Sequence, residues 1–215
     1  MVAMSITDAW PPAGQLFTVD ELERMPDDGR RYELLDVVLI VSPRPRLLHQ
    51  EVAVELAVKL RATCPAHLRV IPEPAVQLTR LTEFNPGIVV IRRELLREAK
   101  VTEPPLLIVE IRSPRTALID LNRKKFAYEQ FGVPSYWIVD PDPDRPELTV
   151  FELGASGRYE EIGRVHGTTP FRALKPFAVD IVPARLVEAC CRLDQPAPAV
   201  VTIQARTRAS SRQES

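Results

Sequence analysis

Two charged residues stand where the sequence pattern calls for apolar ones, and together they could do chemistry. Glu110 lies inside the run 106–112, a nearly continuous apolar stretch of the kind that forms a strand buried on both faces. Lys124 interrupts the apolar stripe of the helix predicted to follow. A buried carboxylate is costly unless it is paired, hydrogen-bonded or bound to a metal. We therefore interpret Glu110 as a site residue; a solvent-facing position near the end of the strand is the alternative.

The helix predicted over residues 117–131 has apolar positions that alternate in steps of four and three residues, which places them on one face. The positions of this face are Ala117, Leu121, Lys124, Tyr128 and Phe131. Because only a short connection separates this helix from the strand before it, we expect the ammonium of Lys124 to point at the Glu110 carboxylate. Two alternatives stay open: Lys124 extends along the surface to solvent, or it pairs with Asp120, one turn earlier.

A carboxylate on a buried strand with a lysine nearby is typical of sites that cleave phosphodiesters. Carboxylates hold Mg²⁺, the metal lowers the pKa of a bound water, and the lysine positions the attacking hydroxide or neutralises the phosphate. Cations surround this unit in the sequence; they are Arg112, Arg115, Arg123, Lys124 and Lys125. These side chains are candidate contacts to DNA phosphates, or else they form an ordinary solvated helix face.

The composition describes the chain that must position these residues. It has 215 residues, 45% hydrophobic and 27% charged, which suits one domain with a real core and excludes wholesale disorder. The formal net charge of −1 excludes a generally basic protein that wraps nucleic acid, but not a local basic groove. The 21 prolines outnumber the 8 glycines, and proline is mostly excluded from element interiors. We therefore expect many short elements.

Helices and strands alternate along the chain, but several strands are consecutive, which favours an α/β (α+β) domain with a mixed sheet flanked by helices. A capping box formed by Thr18 and Glu21 starts the first helix. The other predicted helical segments are 47–63, 92–100, 117–131 and 183–191. The predicted strands are 31–36, 37–42, 68–72, 75–81, 87–91, 106–112, 135–140, 148–153 and 158–163. We place the domain at residues 16–192, between a flexible tail at 1–15 and a disordered tail at 193–215.

The three cysteines argue against an extracellular protein. Cys64, Cys190 and Cys191 form neither a disulfide framework nor the spacing of a metal site, so we expect a reduced, cytoplasmic setting. The first residues lack the basic and apolar regions of a secretory signal. The longest apolar runs are far shorter than the roughly 18 residues that cross a membrane, so no membrane partner is expected.

Several ordered motifs across residues 16–190 resemble one family. They are FTVDELERMPDDGRRYELLD, SPRPRLLHQ, VVIRRE, LLIVEIRSPRT, DLNRKKFAYEQFGVPSYWIVDPD and FELGASGRYEEI. They resemble the Uma family of restriction endonucleases, which belongs to the PD-(D/E)xK nuclease superfamily. The resemblance implies a restriction-endonuclease-like fold, a hydrolase that cleaves DNA, Mg²⁺ as cofactor and DNA as partner. A homo-oligomer is left open.

The resemblance also assigns roles to individual residues. Glu110 matches the family's strand glutamate, Lys124 the lysine on the following helix, and Tyr128 the aromatic residue one turn later. Glu33 matches the glutamate of the first strand, and His49 the histidine that opens the long helix. His49 is then either a general base near the site or a residue that caps and packs the helix. Arg112, Arg115, Arg123 and Lys125 stay the candidate DNA contacts.

The sequence departs from the family at the position that matters most for a metal. The family has a metal-binding aspartate after a proline, where this chain has Gly87, which offers no side chain. Arg112, two residues after Glu110, stands where the family usually has an apolar residue, and we expect it to share the face of Glu110. Val37-Val38 replaces a frequent Gly-Glu. Glu110 is then the remaining metal ligand, flanked by two cations that could satisfy it without metal.

Three hypotheses follow from these residues. The first is a metal-dependent DNA endonuclease, which would need a replacement ligand such as Glu83 or Asn85. The second is a pseudoenzyme that keeps the fold as a DNA-binding or protein-interaction module. The third, an oligomeric structural protein, depends on exposed strands such as 148–153.

Overall fold

The computed structural model describes residues 14–113 and 119–188, with side chains from residue 122 onward in the second range. The α-helices of this part are α1 (Val19–Leu22), α2 (Leu47–Thr63), α3 (Lys125–Phe131) and α4 (Pro183–Glu188). A 3₁₀ helix spans Arg93–Arg97 and a π-helix spans Ile119–Lys124. The strands are β1 (Arg30–Leu35), β2 (Val38–Pro43), β3 (Leu68–Pro72), β4 (Val76–Thr79), β5 (Thr82–Phe84), β6 (Ile88–Arg92), β7 (Leu107–Ile111), β8 (Ser135–Asp140), β9 (Glu147–Leu153), β10 (Tyr159–His166), β11 (Phe171–Ala173) and β12 (Val179–Ile181).

These strands form three sheets rather than the one mixed sheet that the sequence predicts. The larger sheet has the strand order β10-β9-β8-β7-β6-β3, and a second has the order β2-β1-β5-β4. A two-stranded sheet pairs β11 with β12. Within the larger sheet β7 and β8 are parallel, which requires the helical crossover between them, and its other neighbours are antiparallel. The predicted class, α+β with helices flanking a mixed sheet, is confirmed.

Helices cover both faces of the larger sheet. On one face α2 buries Val52, Leu56 and Leu60 against apolar side chains of the sheet and of α4. On the other face Tyr128 of α3 packs among a second apolar cluster that includes Tyr136 of β8. As the sequence predicts, β7 is buried at every position, since it lies in the middle of this sandwich.

The hairpin of β1 and β2 closes through a turn that its residues do not favour. Asp36 and Val37 have φ of 47° and 66°, so both lie in the left-handed region and form a two-residue hairpin loop. A β-branched residue rarely adopts this conformation. Contacts from outside the hairpin hold it: the Val37 N–H donates to the Leu81 carbonyl and the Asp36 N–H to the Thr82 hydroxyl.

Other elements differ from the sequence-based expectation in extent. The strand predicted over 75–81 ends at Thr79, and a tight turn leads into β5, which the pattern missed because it is three residues long. The β11–β12 sheet was missed for the same reason. The helix after β7 begins as a π-helix and becomes α-helical at Lys125. Its predicted start, both predicted tails apart from residues 14–15, and the Cys190-Cys191 pair lie outside the described residues.

The prediction that residues 148–153 form an exposed strand is wrong. β9 lies between β8 and β10, and Leu148, Val150 and Phe151 are buried. The alternating pattern of this segment does not reveal that both of its edges and both of its faces are covered. Among the described residues, no helix has the length and apolar character needed to span a membrane.

Candidate functional site

One lysine bridges two buried glutamates where the two main sheets meet. The Lys124 ammonium lies 3.0 Å from Oε1 of Glu33 and 3.3 Å from Oε1 of Glu110. Glu33 comes from β1 in the smaller sheet, and Glu110 from β7 in the larger one. The side chains of the three residues are only 3–4% exposed. The predicted approach of Lys124 to Glu110 is therefore present, with Glu33 as a second partner.

Two further donors fix the carboxylates. The Tyr128 hydroxyl donates to Oε1 of Glu110 at 2.8 Å. The backbone N–H of Asn85 donates to Oε1 of Glu33, also at 2.8 Å. Because Tyr128 follows Lys124 by one helical turn, both side chains reach the same carboxylate from one face of the helix. We refer to Glu33, Glu110, Lys124 and Tyr128 as the acid–lysine cluster.

The cluster shifts the ionisation of its members. Burial opposes the charge of Glu33, but Lys124, Arg31 and the hydrogen bond from Asn85 outweigh it and lower the pKa of Glu33. Burial and the neighbouring Glu110 raise the pKa of Tyr128 well above its ordinary value. Tyr128 therefore stays protonated and acts as a hydrogen-bond donor.

The acid–lysine cluster lies at the floor of a cleft of about 820 Å³. Four arginines line this cleft, together with the 140–143 loop that follows β8. They are Arg31, Arg44, Arg46 and Arg112. Arg31 pairs with Glu73, and Arg44 pairs with Asp27, which is 95% exposed. The cleft therefore places basic groups above an acidic floor.

His49 belongs to the same cleft. It lies in the first turn of α2, is 92% buried, and its Nε2–H donates to the Ile111 carbonyl at 3.0 Å. That carbonyl is one residue past Glu110, so the bond ties the start of α2 to the end of β7. His49 therefore lies near the site and packs the helix against the strand, whereas the N-cap of α2 is Arg46; the role of His49 as a general base stays a prediction.

Arg112 lies in the cleft but is paired with a different carboxylate from the one expected. Its Nη1 is 2.6 Å from Oδ2 of Asp140, and its backbone N–H donates to Val139. The expectation of two cations flanking Glu110 is therefore wrong: β7 ends at Ile111, and Arg112 turns to the end of the parallel strand β8. Asp140 was missed, although Ile111 pairs with Val139 and parallel strands end at the same edge.

Position 87 contributes nothing to the cluster. Gly87 immediately precedes β6, and a Cβ there would lie 3.3 Å from the Val109 carbonyl oxygen and 3.4 Å from Cδ1 of Ile111. Neither proposed replacement ligand takes its place. Glu83 pairs with Lys100 at 2.9 Å, and the Asn85 side chain donates to the Tyr32 carbonyl.

The donor set therefore does not fit Mg²⁺. No group of three or more His, Cys, Asp or Glu side chains in the described part of the chain could hold a metal ion. The two carboxylates that come together share the Lys124 ammonium, and each accepts a second hydrogen bond. A hard cation needs several anionic oxygens, whereas here an ammonium occupies the position between them.

The remaining predicted DNA contacts are not brought to the cleft. Lys125 lies over the Phe151 ring, with Nζ 3.6 Å from the ring centroid, and burial lowers the pKa of its ammonium. Arg123 is exposed and does not line the cleft. Arg115 lies outside the described residues.

Comparison with known proteins agrees with this fold. Residues 19–181 match the model of the Uma2 family, described as "Putative restriction endonuclease". The chain belongs to this family. A solved structure from Anabaena variabilis, described as "a putative nuclease belonging to DUF820", is similar with a TM-score of 0.62 and 17% sequence identity. The similarity covers 80% of this chain and 97% of that one, and it shows a shared fold. Among curated proteins, no relative matches the sequence.

Proposed function

We propose that this Uma2 protein is a pseudonuclease that binds DNA through the cleft and does not hydrolyse it with a metal. The observation that carries the proposal is that the two glutamates at the floor of the cleft already have partners. Position 87 has no side chain, and both carboxylates that remain are ion-paired with Lys124 and hydrogen-bonded. A site in that state lacks the anionic oxygens that a divalent cation needs.

The cleft arginines support binding to a polyanion. Arg46 is exposed just before α2 and has no ion pair within the described residues. Among the described residues Arg44 pairs only with the exposed Asp27, and such pairs contribute about 1 kcal/mol or less. A DNA phosphate could therefore replace Asp27 at little cost. The Lys124 ammonium also offsets one of the two buried carboxylate charges, so the floor repels a phosphate less than an unpaired acid pair would.

DNA binding and DNA cleavage can be measured separately on the same full-length protein. Fluorescence anisotropy with a labelled duplex should show binding that weakens steadily as salt rises, because phosphate contacts release counterions. Plasmid incubated with Mg²⁺ or Mn²⁺ should be nicked no faster by the parent protein than by the Glu110→Ala variant. Nicking by the parent protein that is absent from a Glu110→Ala variant shown to be folded by thermal melting would refute the loss of catalysis. Absence of any salt-dependent binding would refute the role in DNA binding.

Arg46→Ala locates the binding to the cleft. Removing one phosphate contact should weaken binding to all sequences alike and reduce the salt slope by about one unit. Arg97→Ala is the matched control, since Arg97 is exposed on the 3₁₀ helix and does not line the cleft. Equal loss from both variants would contradict a role for the cleft.

A metal-dependent endonuclease is the second candidate, because Glu33 and Glu110 both lie within 3.3 Å of one Nζ although they come from different sheets. This candidate predicts heat on titration with Mg²⁺ that Glu110→Ala abolishes, whereas the pseudonuclease predicts none. Gly87→Asp tests whether one missing carboxylate is the only defect. We expect no recovery of metal binding, because the Lys124 ammonium still lies between the two glutamates in that variant.

A further inference from the structure

The long helix α2 has an apolar surface that the fold leaves uncovered. Its buried face carries Val52 and Leu56, both fully buried in the core. On its outer face, Leu47, Val54 and Val58 are 83%, 56% and 59% exposed. Exposed apolar side chains are ordinary when they are scattered, but here they share one helix face, and that arrangement indicates a contact surface.

The spacing of this outer face is that of a helix–helix seam. The residues of the seam are Leu47, Glu51, Val54, Val58 and Arg61, in steps of four, three, four and three. This is the a/d repeat of a coiled coil, which brings about one side chain per turn to the same line along the helix. The buried core of α2 uses other positions, so the seam is available to a second helix.

The seam is complementary to itself when the second helix runs antiparallel. If Val54 is placed opposite Val58 of a second copy, the two-fold axis places Val58 opposite Val54 of that copy. The same register places Glu51 opposite Arg61 at both ends of the valine cluster, and Leu47 against Pro65. An isologous interface requires this reciprocity, in which residue i meets j and j meets i.

We propose that α2 is a homodimer interface, in which two copies of this chain pair antiparallel through the seam. The charges favour a second copy over another partner. Glu51 lies at one end of the valine pair and Arg61 at the other, so an antiparallel copy places opposite charges together at both ends. Glu51 is half-buried and has no ion pair within the described residues, so its carboxylate is available to a cation of the second copy. Arg61 holds the Val70 carbonyl through Nε and Nη2, and its Nη1 has no hydrogen-bond partner within the described residues.

The size of the seam sets the expected strength. A pair of 17-residue helices forms an interface at or below about 1,200 Å², the lower end for specific complexes. We therefore expect a dimer that dissociates in the range of about 1–100 μM. The proposal is independent of the proposed function, since no residue of the seam belongs to the acid–lysine cluster.

Sedimentation of the full-length chain over a concentration series tests the interface. The parent should pass from monomer to dimer within the stated range, and Val58→Glu should weaken association at least about tenfold, since each dimer carries the change twice. Leu96→Glu is the matched control, because Leu96 is 48% exposed on another element. A parent that stays monomeric at about 1 mM, or an equal effect of both variants, would overturn the proposal.

Charge reversal gives the sharper test, because it does not depend on apolar area. Glu51→Arg alone and Arg61→Glu alone should each weaken the dimer, whereas the double variant should recover most of the parent affinity. Thermal melting of each variant checks that the monomer is folded. Folded single variants with unchanged affinity, or a folded double variant that stays as weak as the singles, would exclude this register and with it the proposal.

Discussion

The molecule contains the same charged unit twice, in two environments. Lys124 lies between Glu33 and Glu110, and all three side chains are buried. Lys100 lies between Glu23, at 2.6 Å, and Glu83, at 2.9 Å, with Glu23 59% exposed. We refer to the second unit as the surface lysine clamp. Each has one ammonium for two carboxylates, so they differ in solvent access rather than in charge.

Solvent access changes what each unit can do. In the surface lysine clamp, water and salt reach Glu23, which is 59% exposed, whereas Glu83 is only 8% exposed, so one of the two pairs contributes little. In the acid–lysine cluster all three charged side chains are only 3–4% exposed, and removing one of them leaves a buried charge without compensation. The acid–lysine cluster is therefore expected to stabilise the fold more than the surface lysine clamp does.

Replacing each lysine by alanine should give the largest difference in stability between the two units. Lys124→Ala leaves two buried carboxylates unpaired, and we expect a loss of about 3–5 kcal/mol in the free energy of unfolding. Lys100→Ala leaves one buried carboxylate, Glu83, unpaired rather than two, and should cost less, about 1–2 kcal/mol. Urea denaturation at pH 7 measures both.

A neutral replacement checks the reason for this difference. Lys124→Met combined with Glu33→Gln and Glu110→Gln removes the unpaired charges and should recover much of the stability that Lys124→Ala loses. A triple variant as unstable as Lys124→Ala would show that side-chain shape, rather than charge, determines how much the cluster stabilises the fold. Equal losses in Lys124→Ala and Lys100→Ala would contradict the comparison itself.

The second largest effect is expected from the tyrosine that only the buried unit has. Tyr128→Phe removes the donor to Glu110 and should cost about 1–3 kcal/mol, the range for a buried acceptor that loses its partner. Tyr32→Phe is the control, since the Tyr32 hydroxyl donates to Asp28, whose side chain is 31% exposed. Thermal unfolding of both variants should show the larger shift for Tyr128→Phe, and the reverse order would contradict the assignment.

A smaller difference between the two units is expected in the pH dependence of stability. Folding lowers the pKa of Glu33 below its unfolded value of about 4.3, so its contribution is full above that pH and is lost as the pH falls through the folded pKa. Glu33→Gln should therefore flatten the loss of stability on the acidic side. Glu23→Gln should change that slope less, because Glu23 is exposed. Chemical denaturation between about pH 6 and pH 3 measures the slopes, and identical slopes in the parent and Glu33→Gln would refute the prediction.

Salt should produce the smallest effect. Raising NaCl to about 1 M shortens the Debye length to about 3 Å and screens exposed charges. The cost of Lys100→Ala should fall, because salt screens the exposed Glu23, whereas the cost of Lys124→Ala should stay nearly constant. Repeating the urea series at low and high salt measures this, and a Lys124→Ala cost that falls with salt would show that water reaches the cluster.

Much of the site could be predicted because buried charges are conspicuous in an apolar pattern. Glu110 breaks the pattern of β7 and Lys124 that of the following helix, and the structure joins them. The partnership with Glu33 could not be derived from periodicity, because it depends on how two sheets meet. The contact of Arg112 with Asp140 depends on where β7 ends, and the strand boundary is the part of a pattern that is least certain.

The fold was predictable where elements are long and failed where they are short. The segments that became α2 and β7 have enough periodic positions to define a helix and a buried strand. Three-residue strands such as β5 and β11 carry no readable period, so the division into separate sheets was missed. The π-helical start of the segment before Lys125 has no distinct sequence signal that we could use.

The turn at Val37 has a consequence for the order in which the chain folds. A valine in the left-handed region costs roughly 1–2 kcal/mol. We therefore expect that the loop does not nucleate folding of the β1–β2 hairpin. It must wait for residues 81 and 82, which hold the turn from outside. Glu33 would then reach Lys124 only after β5 has formed beside β1. We expect Val37→Gly to speed refolding and to raise stability by about 1 kcal/mol; stopped-flow refolding measures the rate, and an unchanged rate would place hairpin closure after the rate-limiting step.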